Sequence, residues 1–179
     1  GKITRIKSSI PIPEKHKAFT EEIEHRLGFT SPFVRRILNW GFFPSGKKKW
    51  CTKELKIWPL KKYYETLEFE PVNVTGVRWE ESKYRANLTE IEWFDYLDCY
   101  VWRPIINYKE SDVIAIHKRF GISPNPLYLN GSDRVGCYPC ILSRKKQLLH
   151  LDKKRIEIIR DIEKYVNLNW PNEKERNFF

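Results

Sequence analysis

The chain has 179 residues, 41% hydrophobic and 15% aromatic, with 33 Lys and Arg against 23 Asp and Glu for a net charge of +10. That composition argues against a disordered chain and predicts one globular domain over residues 1–179, with a field that draws polyanions: nucleic acid, nucleotides or anionic substrates. No apolar run approaches the roughly 18–20 residues of a membrane span, and no basic-then-apolar leader opens the chain. A cytoplasmic protein is therefore expected, with thiols serving as ligands or nucleophiles. The chain begins with Gly and contains no Met, so a piece of something longer is also expected.

Residues 1–16 read as an extended N-terminal segment, because Pro11 and Pro13 exclude an early helix. Phe19, Ile23 and Leu27 recur at helical spacing and predict a short amphipathic helix ended by Gly28. Ser31-Pro32 is an N-cap followed by a first-turn proline, which predicts a second helix to about Trp40. A turn-rich loop from Gly41 to Gly46 follows. A helical stretch then starts near Trp50, interrupted and restarted at Pro59, with Leu60, Tyr63, Tyr64 and Leu67 on its buried side.

Val72 to Arg78 predicts a buried strand running into a functional loop, and Cys99 to Ile106 a second strand. Ser111 is the expected cap of a helix with Val113, Ile114, Ile116 and Phe120 facing inward, stopped by Gly121. Ile122 to Cys140, rich in Pro and Gly, reads as a long ordered loop. Residues 145–179 read as a C-terminal helix and tail, the helix running from Lys145 to Val166 with one apolar stripe. Strands alternating with helices predict an α/β fold with a mainly parallel sheet.

The chemistry concentrates in Cys137-Tyr138-Pro139-Cys140, with Cys51 and Cys99 upstream. Two cysteines three apart on a turn can face one metal. Iron–sulfur clusters want four thiolates and structural zinc wants four ligands, so either metal is a candidate, with a redox-active dithiol or inert thiols as alternatives. Cys99, alone on a strand, also reads as a small buried hydrophobe. Lys47, Lys48, Lys49, Lys53 and Lys56 surround Cys51 in sequence, and cations near a thiol favour thiolate and attract anions. Gly76, Arg78 and Arg85 follow the first strand, where open α/β sheets bind ligands; the two arginines there can clamp phosphate or sulfate oxygens or form surface ion pairs. Arg134, just before Cys137, is a further candidate anion contact. His117 and His150 read as core or surface histidines.

The order of motifs carries a resemblance. Trp50-Cys51-Thr52-Lys53-Glu54-Leu55-Lys56 with Pro59-Leu60 comes first, then Gly76-Val77-Arg78-Trp79-Glu80-Glu81-Ser82 with Arg85. Arg103-Pro104-Ile105-Ile106 with Glu110-Ser111-Asp112-Val113 follows, then Asn125-Pro126-Leu127-Tyr128, and last Arg134 to Cys140. Over residues 40–145 this resembles the phosphoadenosine phosphosulfate reductase family, in the adenine nucleotide alpha-hydrolase-like superfamily. The resemblance implies a Rossmann-like sheet flanked by helices, and ATP or an adenosine phosphosulfate as ligand.

The family's Ser-Gly-Gly-Lys-Asp-Ser-type phosphate loop has no counterpart in this sequence. The expectation is that this N-terminal nucleotide-loop portion lies elsewhere or on a partner segment. No cysteine follows Cys140, whereas the reductases proper carry a Glu-Cys-Gly-Leu-His-type motif near the C-terminus. The match is better to relatives that move sulfur or activate a substrate with ATP, such as those that thiolate tRNA or phosphorothioate DNA. Cluster-bearing members place iron and sulfur between an upstream Cys-Cys pair and a downstream Cys-x-x-Cys; here Trp50 stands at the first of those positions, and Cys99 or an outside ligand would complete a set with Cys51, Cys137 and Cys140.

The implied function is binding of an adenine nucleotide or sulfonucleotide by Lys49, Lys53, Gly76, Arg78, Arg85 and Arg134, with thiolate-based sulfur transfer or reduction at Cys51, Cys137 and Cys140. The alternatives are a basic nucleic-acid-binding module and a metal-stabilised scaffold without catalysis.

Overall fold

The structure, a computed structural model, describes residues 4–129, 135–143 and 145–170. The chain folds as two compact units, Gly1–Pro59 with Gly136–Phe179, and Leu60–Val135.

The first unit is helical. A 3₁₀ turn at Glu14–His16 leads into α1 (Lys17–Leu27), which Gly28 ends in the left-handed region, and α2 (Pro32–Trp40) follows. The Ser31 hydroxyl accepts a hydrogen bond from the Val34 N–H at 3.3 Å, the N-cap expected of Ser-Pro. Gly41 ends α2 at φ +65°, where a Cβ would collide with the Trp170 indole, so both conformation and packing require glycine. Next come α3 (Trp50–Thr52), a π-turn over Lys53–Ile57, and α4 (Trp58–Tyr64).

Beyond the Cys-x-x-Cys loop, the expected single C-terminal helix is two pieces, α7 (Lys145–Leu148) and α8 (Lys153–Asn169). The break falls where the Asp152 carboxylate accepts from the Arg155 N–H at 2.7 Å and restarts the helix. The core joins Ile23 of α1 and Val34, Ile37 and Leu38 of α2 to Ile158, Ile159, Ile162 and Val166 of α8. Phe43, Trp50 and Leu151 complete it.

The second unit holds a three-stranded sheet of β1 (Val72–Val74), β2 (Ile91–Phe94) and β3 (Cys99–Trp102), in the order β1-β3-β2. β1 pairs with β3 in parallel and β2 pairs with β3 antiparallel, so the sheet is mixed where the sequence predicts a mainly parallel one. β2 is unforeseen: Ile91-Glu92-Trp93-Phe94 is short, but it alternates and precedes a four-residue turn in which Asp98 adopts a positive φ of 54°.

β1 is not a buried strand. Val72, Val74, Ile91, Trp93, Tyr100 and Trp102 pair across one face and are all exposed, while Cys99 and Val101 point to the buried face. α5 (Glu110–Arg119) begins two residues earlier than predicted. Its N-cap is Lys109, whose N–H is held by the Asp112 carboxylate at 2.7 Å, and Ser111 lies within the first turn. Ile114 and Phe120 are exposed instead of inward-facing, because both fall outside the stripe that Val113, Ile116 and His117 half-bury. A short α6 (Pro126–Leu129) sits inside the stretch expected to be loop. Among the described residues no helix is long and apolar enough to cross a membrane.

Candidate functional site

Trp50 anchors the start of the site. Its indole is buried in the core, 5.4 Å from the Phe33 ring and 5.6 Å from the Trp40 ring. Cys51, the next helical residue about 100° round, packs against the core and lines a cavity of about 350 Å³ within the first unit. Pro59 has no N–H to return to Leu55 one helical turn earlier. The chain widens just before it, and the Trp58 N–H reaches the Lys53 carbonyl five residues back. Glu54 in this π-turn is buried and accepts from Arg36 Nη2 at 2.8 Å, while its carbonyl accepts from the Ser8 hydroxyl at 3.4 Å. With Glu54 held inward, Lys56 reaches the cavity, and its Nζ lies 3.6 Å from Cys137 Sγ.

The Cys-x-x-Cys loop is fixed by its own second residue. The Tyr138 hydroxyl donates to the His150 carbonyl at 2.6 Å and accepts from the Asp152 N–H at 3.2 Å, tying the loop to the start of α8. The Arg155 guanidinium lies over the Tyr138 ring at 5.5 Å. Cys140 donates its N–H to Ser143 Oγ at 3.2 Å, and its sulfur accepts from the Leu142 N–H at 3.5 Å. Cys51, Cys137 and Cys140 therefore line one cavity together with Lys49, Lys56 and Arg155. Cys137 is exposed, and Cys51 and Cys140 are half-buried. Burial pushes the Cys51 thiol above its ordinary range, and charge on Cys137 pushes the same way against a hydrogen bond from Thr52 and the Lys56 ammonium.

The other sequence candidates among the described residues do not line the cavity. Cys99 belongs to the second unit, buried on β3, where desolvation raises its pKa against a backbone hydrogen bond from Asn73. Lys53 does not line the cavity; its ammonium lies 5.2 Å from the Trp58 ring centroid. Arg78 and Arg85 are in the second unit and ion-paired: Arg78 Nη1 lies 3.3 Å from Glu80 Oε1, and Glu81 takes Arg85. Gly76 stands just beyond β1, where a Cβ would make only an ordinary 3.8 Å contact with Ile105. Arg134 lies outside the described residues. His117 and His150 are half-buried and outside the cavity lining.

Lys56 is visible in the sequence as one of a basic run, but its meeting with Cys137 needs the extra residue of the π-turn. Arg155 carries no sequence signal, because only the Tyr138 clamp brings it to the cysteines.

The donor set decides whether the thiols suit a resident metal. Three cysteines line the cavity, the residue before Cys51 is a core tryptophan, and the fourth cysteine belongs to the other unit. Among the described residues no group of three or more His, Cys, Asp or Glu is disposed to hold a metal ion. The described side chains do not fit a four-thiolate cluster or a tetrahedral zinc.

Residues 13–143 match the family of the phosphoadenosine phosphosulfate reductase domain. The chain is 40% identical over 134 residues to an uncharacterised 37.8 kDa protein of Escherichia phage 186, covering 68% of this chain and 38% of that protein. It is 33% identical over 100 residues to the adenosine 5'-phosphosulfate reductase of Burkholderia cepacia, covering 45% of this chain and 40% of that enzyme. Identity to the adenosine 5'-phosphosulfate reductase of Allochromatium vinosum is 32% over 101 residues, covering 56% and 38%. The chain spans about two fifths of the length of these relatives. It belongs to the phosphoadenosine phosphosulfate reductase domain family.

Proposed function

From that membership we propose that the chain is the thiol-bearing part of a sulfonucleotide-processing enzyme, and that its three clustered cysteines act on the sulfo group of an adenosine phosphosulfate. The observation that carries this reading is the convergence of Cys51, Cys137 and Cys140 on one cavity with Lys56 against Cys137. Among the described residues lining that cavity three are cations and none is a carboxylate.

The chemistry follows from exposure and charge. Cys137, the most exposed of the three, attacks the sulfur of the phosphosulfate as a thiolate. A sulfur–sulfur bond forms, the bond from sulfur to the bridging phosphate oxygen breaks, and the nucleotide leaves with the electron pair. Lys56 and Lys49 offset the negative charge of the sulfo oxygens. A second thiol, Cys51 or Cys140, then loses its proton and attacks the Cys137 sulfur. Sulfite leaves with the electron pair and a disulfide remains. Two thiols have been oxidised by two electrons, and sulfate-level sulfur has been reduced to sulfite.

The test is release of sulfite from adenosine 5'-phosphosulfate by the 179-residue chain, with calorimetric titration of that nucleotide and of ATP. One equivalent of sulfite per chain is expected in a single turnover, with none from Cys137→Ser. Binding of neither nucleotide would overturn the reading. Binding of ATP with no release of sulfite from the phosphosulfate would replace it with a substrate-activating one.

A further inference from the structure

We infer that the thiol cavity is a binding site for a small amphipathic anion: a flat or branched apolar body with a sulfonate, sulfate or comparable anionic head. This goes beyond the sulfonucleotide reading, because it concerns the inner chamber and holds whether or not the thiols turn over.

Size, lining and charge each point to this ligand class. Ligand cavities range over roughly 300–1,000 Å³, so about 350 Å³ is at the small end. A two-ring body suits such a space. Phe29, Phe33, Phe43, Leu55, Ile159 and Ile162 are among the walls, so a polar body entering here would lose its water without replacement. The polar side is one-signed. Lys56 reaches it from the π-turn and Arg155 from α8, both meeting the Cys-x-x-Cys loop, and Lys49 joins them. With no carboxylate among the described residues of the lining, an anionic head is favoured at that end and a cationic one is opposed. Apolar matter is drawn into the chamber at about 25 cal/mol per Å² buried, and the head is thereby set beside Cys137.

The test uses three probes: 1-naphthalenesulfonate, 1-naphthalenemethanol as the body without charge, and methanesulfonate as the head without body. Each is titrated calorimetrically into the intact chain, and alkylation of Cys137 by iodoacetamide is followed by peptide mass spectrometry. The expected result is saturable one-to-one binding of the naphthalenesulfonate at least about tenfold tighter than either half, about 1.4 kcal/mol, with slower alkylation of Cys137. Lys56→Gln, at an exposed position, should weaken the sulfonate and leave the alcohol unchanged. Ile159→Phe, which fills the chamber, should weaken both.

Binding without protection of Cys137 would place the ligand elsewhere, for instance on the exposed apolar face of the sheet, and would overturn the inference. So would methanesulfonate binding as well as the full probe. Neither result touches the sulfonucleotide reading, which is decided by sulfite release. Failure of sulfite release likewise leaves this binding test standing.

Discussion

Residues 1–59 and 136–179 carry 23 Lys and Arg against 11 Asp and Glu, whereas residues 60–135 carry 10 against 12. The net charge of +10 is thus a property of the helical unit with the three cavity thiols, and the sheet unit is slightly acidic. The two units also hold their buried arginines differently. Arg35 and Glu24 are enclosed, with 18% and 10% of their side chains exposed, and Glu24 accepts from Arg35 Nε at 2.7 Å, Arg35 Nη2 at 2.8 Å and the Ser31 N–H at 2.7 Å. Arg103 of the sheet unit is more deeply buried, at 7%, but its partner Glu92 is 35% exposed, and the Thr89 carbonyl also accepts from the arginine at 2.8 Å. Surplus positive charge near the thiols suits anion binding, and the two buried carboxylates of the helical unit's described residues, Glu24 and Glu54, are paired with Arg35 and Arg36 away from the cavity lining.

The sharpest way to break this comparison is Glu24→Gln. Removing one charge of a buried pair leaves the other without its partner, at a cost of about 3 kcal/mol, read from the midpoint of urea unfolding. Hydrogen exchange should locate the loss in residues 17–40 and spare residues 91–102. The Arg35 hydrogen bonds, outweighing the opposing cost of burial, hold the Glu24 carboxyl below the usual carboxylate range. Its folded pKa is lowered, so its stabilisation is complete above the unfolded value of about 4.3. That stabilisation is lost as pH falls through the lower folded value. The wild-type chain should lose stability across that acid window, and the Gln variant should lose less there. An equal acid slope in both would show that the pair is not what holds α1 to α2.

A second test compares thiols inside the helical unit. Cys51 has its pKa raised by burial, so thiol reaction at neutral pH should be at least about tenfold slower at Cys51 than at exposed Cys137. Raising the pH should quicken Cys51, and peptide mapping after maleimide labelling reads both rates. The same raised pKa makes the site destabilising in alkali. Its contribution is whole below the unfolded thiol value near ~8.5 and disappears as pH rises through the higher folded one.

Glu92→Gln, the sheet unit's counterpart of the first substitution, should cost only about 1 kcal/mol, because Glu92 keeps part of its water and Arg103 keeps the Thr89 carbonyl. A cost as large as that of Glu24→Gln would mean the two pairs are energetically alike despite their exposure.

Which parts of this were legible in the sequence follows from how local each signal is. Gly28, the Ser31-Pro32 cap and Gly41 act through their own backbone, and α1 and α2 lie where they predict. Cys51 with Cys137 and Cys140 was readable from motif order, which stands in for a fold. The break before α8 was not, because the apolar stripe runs on through Leu148 and Leu151, and only the Asp152 cap interrupts it. β2 is as long as β3 and longer than β1, so length did not hide it; the exposed faces of β1 and α5 were hidden by the assumption that apolar means inward. The site was incomplete for the same reason. Lys56 and Arg155 reach the cysteines by a π-turn and a tyrosine clamp, and neither device has a local periodicity to read.

The smallest expected effect tests whether the thiol chemistry stays within one unit. Cys99 is 2% exposed and points to the buried face of β3, and burial pushes its pKa up. Alanine there removes one small sulfur from a packed site, a loss of about 1 kcal/mol or less. The folded variant should react with as many maleimide equivalents as the wild type, and only after unfolding should it show one fewer. Single-turnover sulfite release should be unchanged. Should Cys99→Ala instead lower sulfite release, or remove a thiol that reacts in the folded state, the chemistry would draw on both units and the division between a reactive helical unit and an unreactive sheet unit would fail.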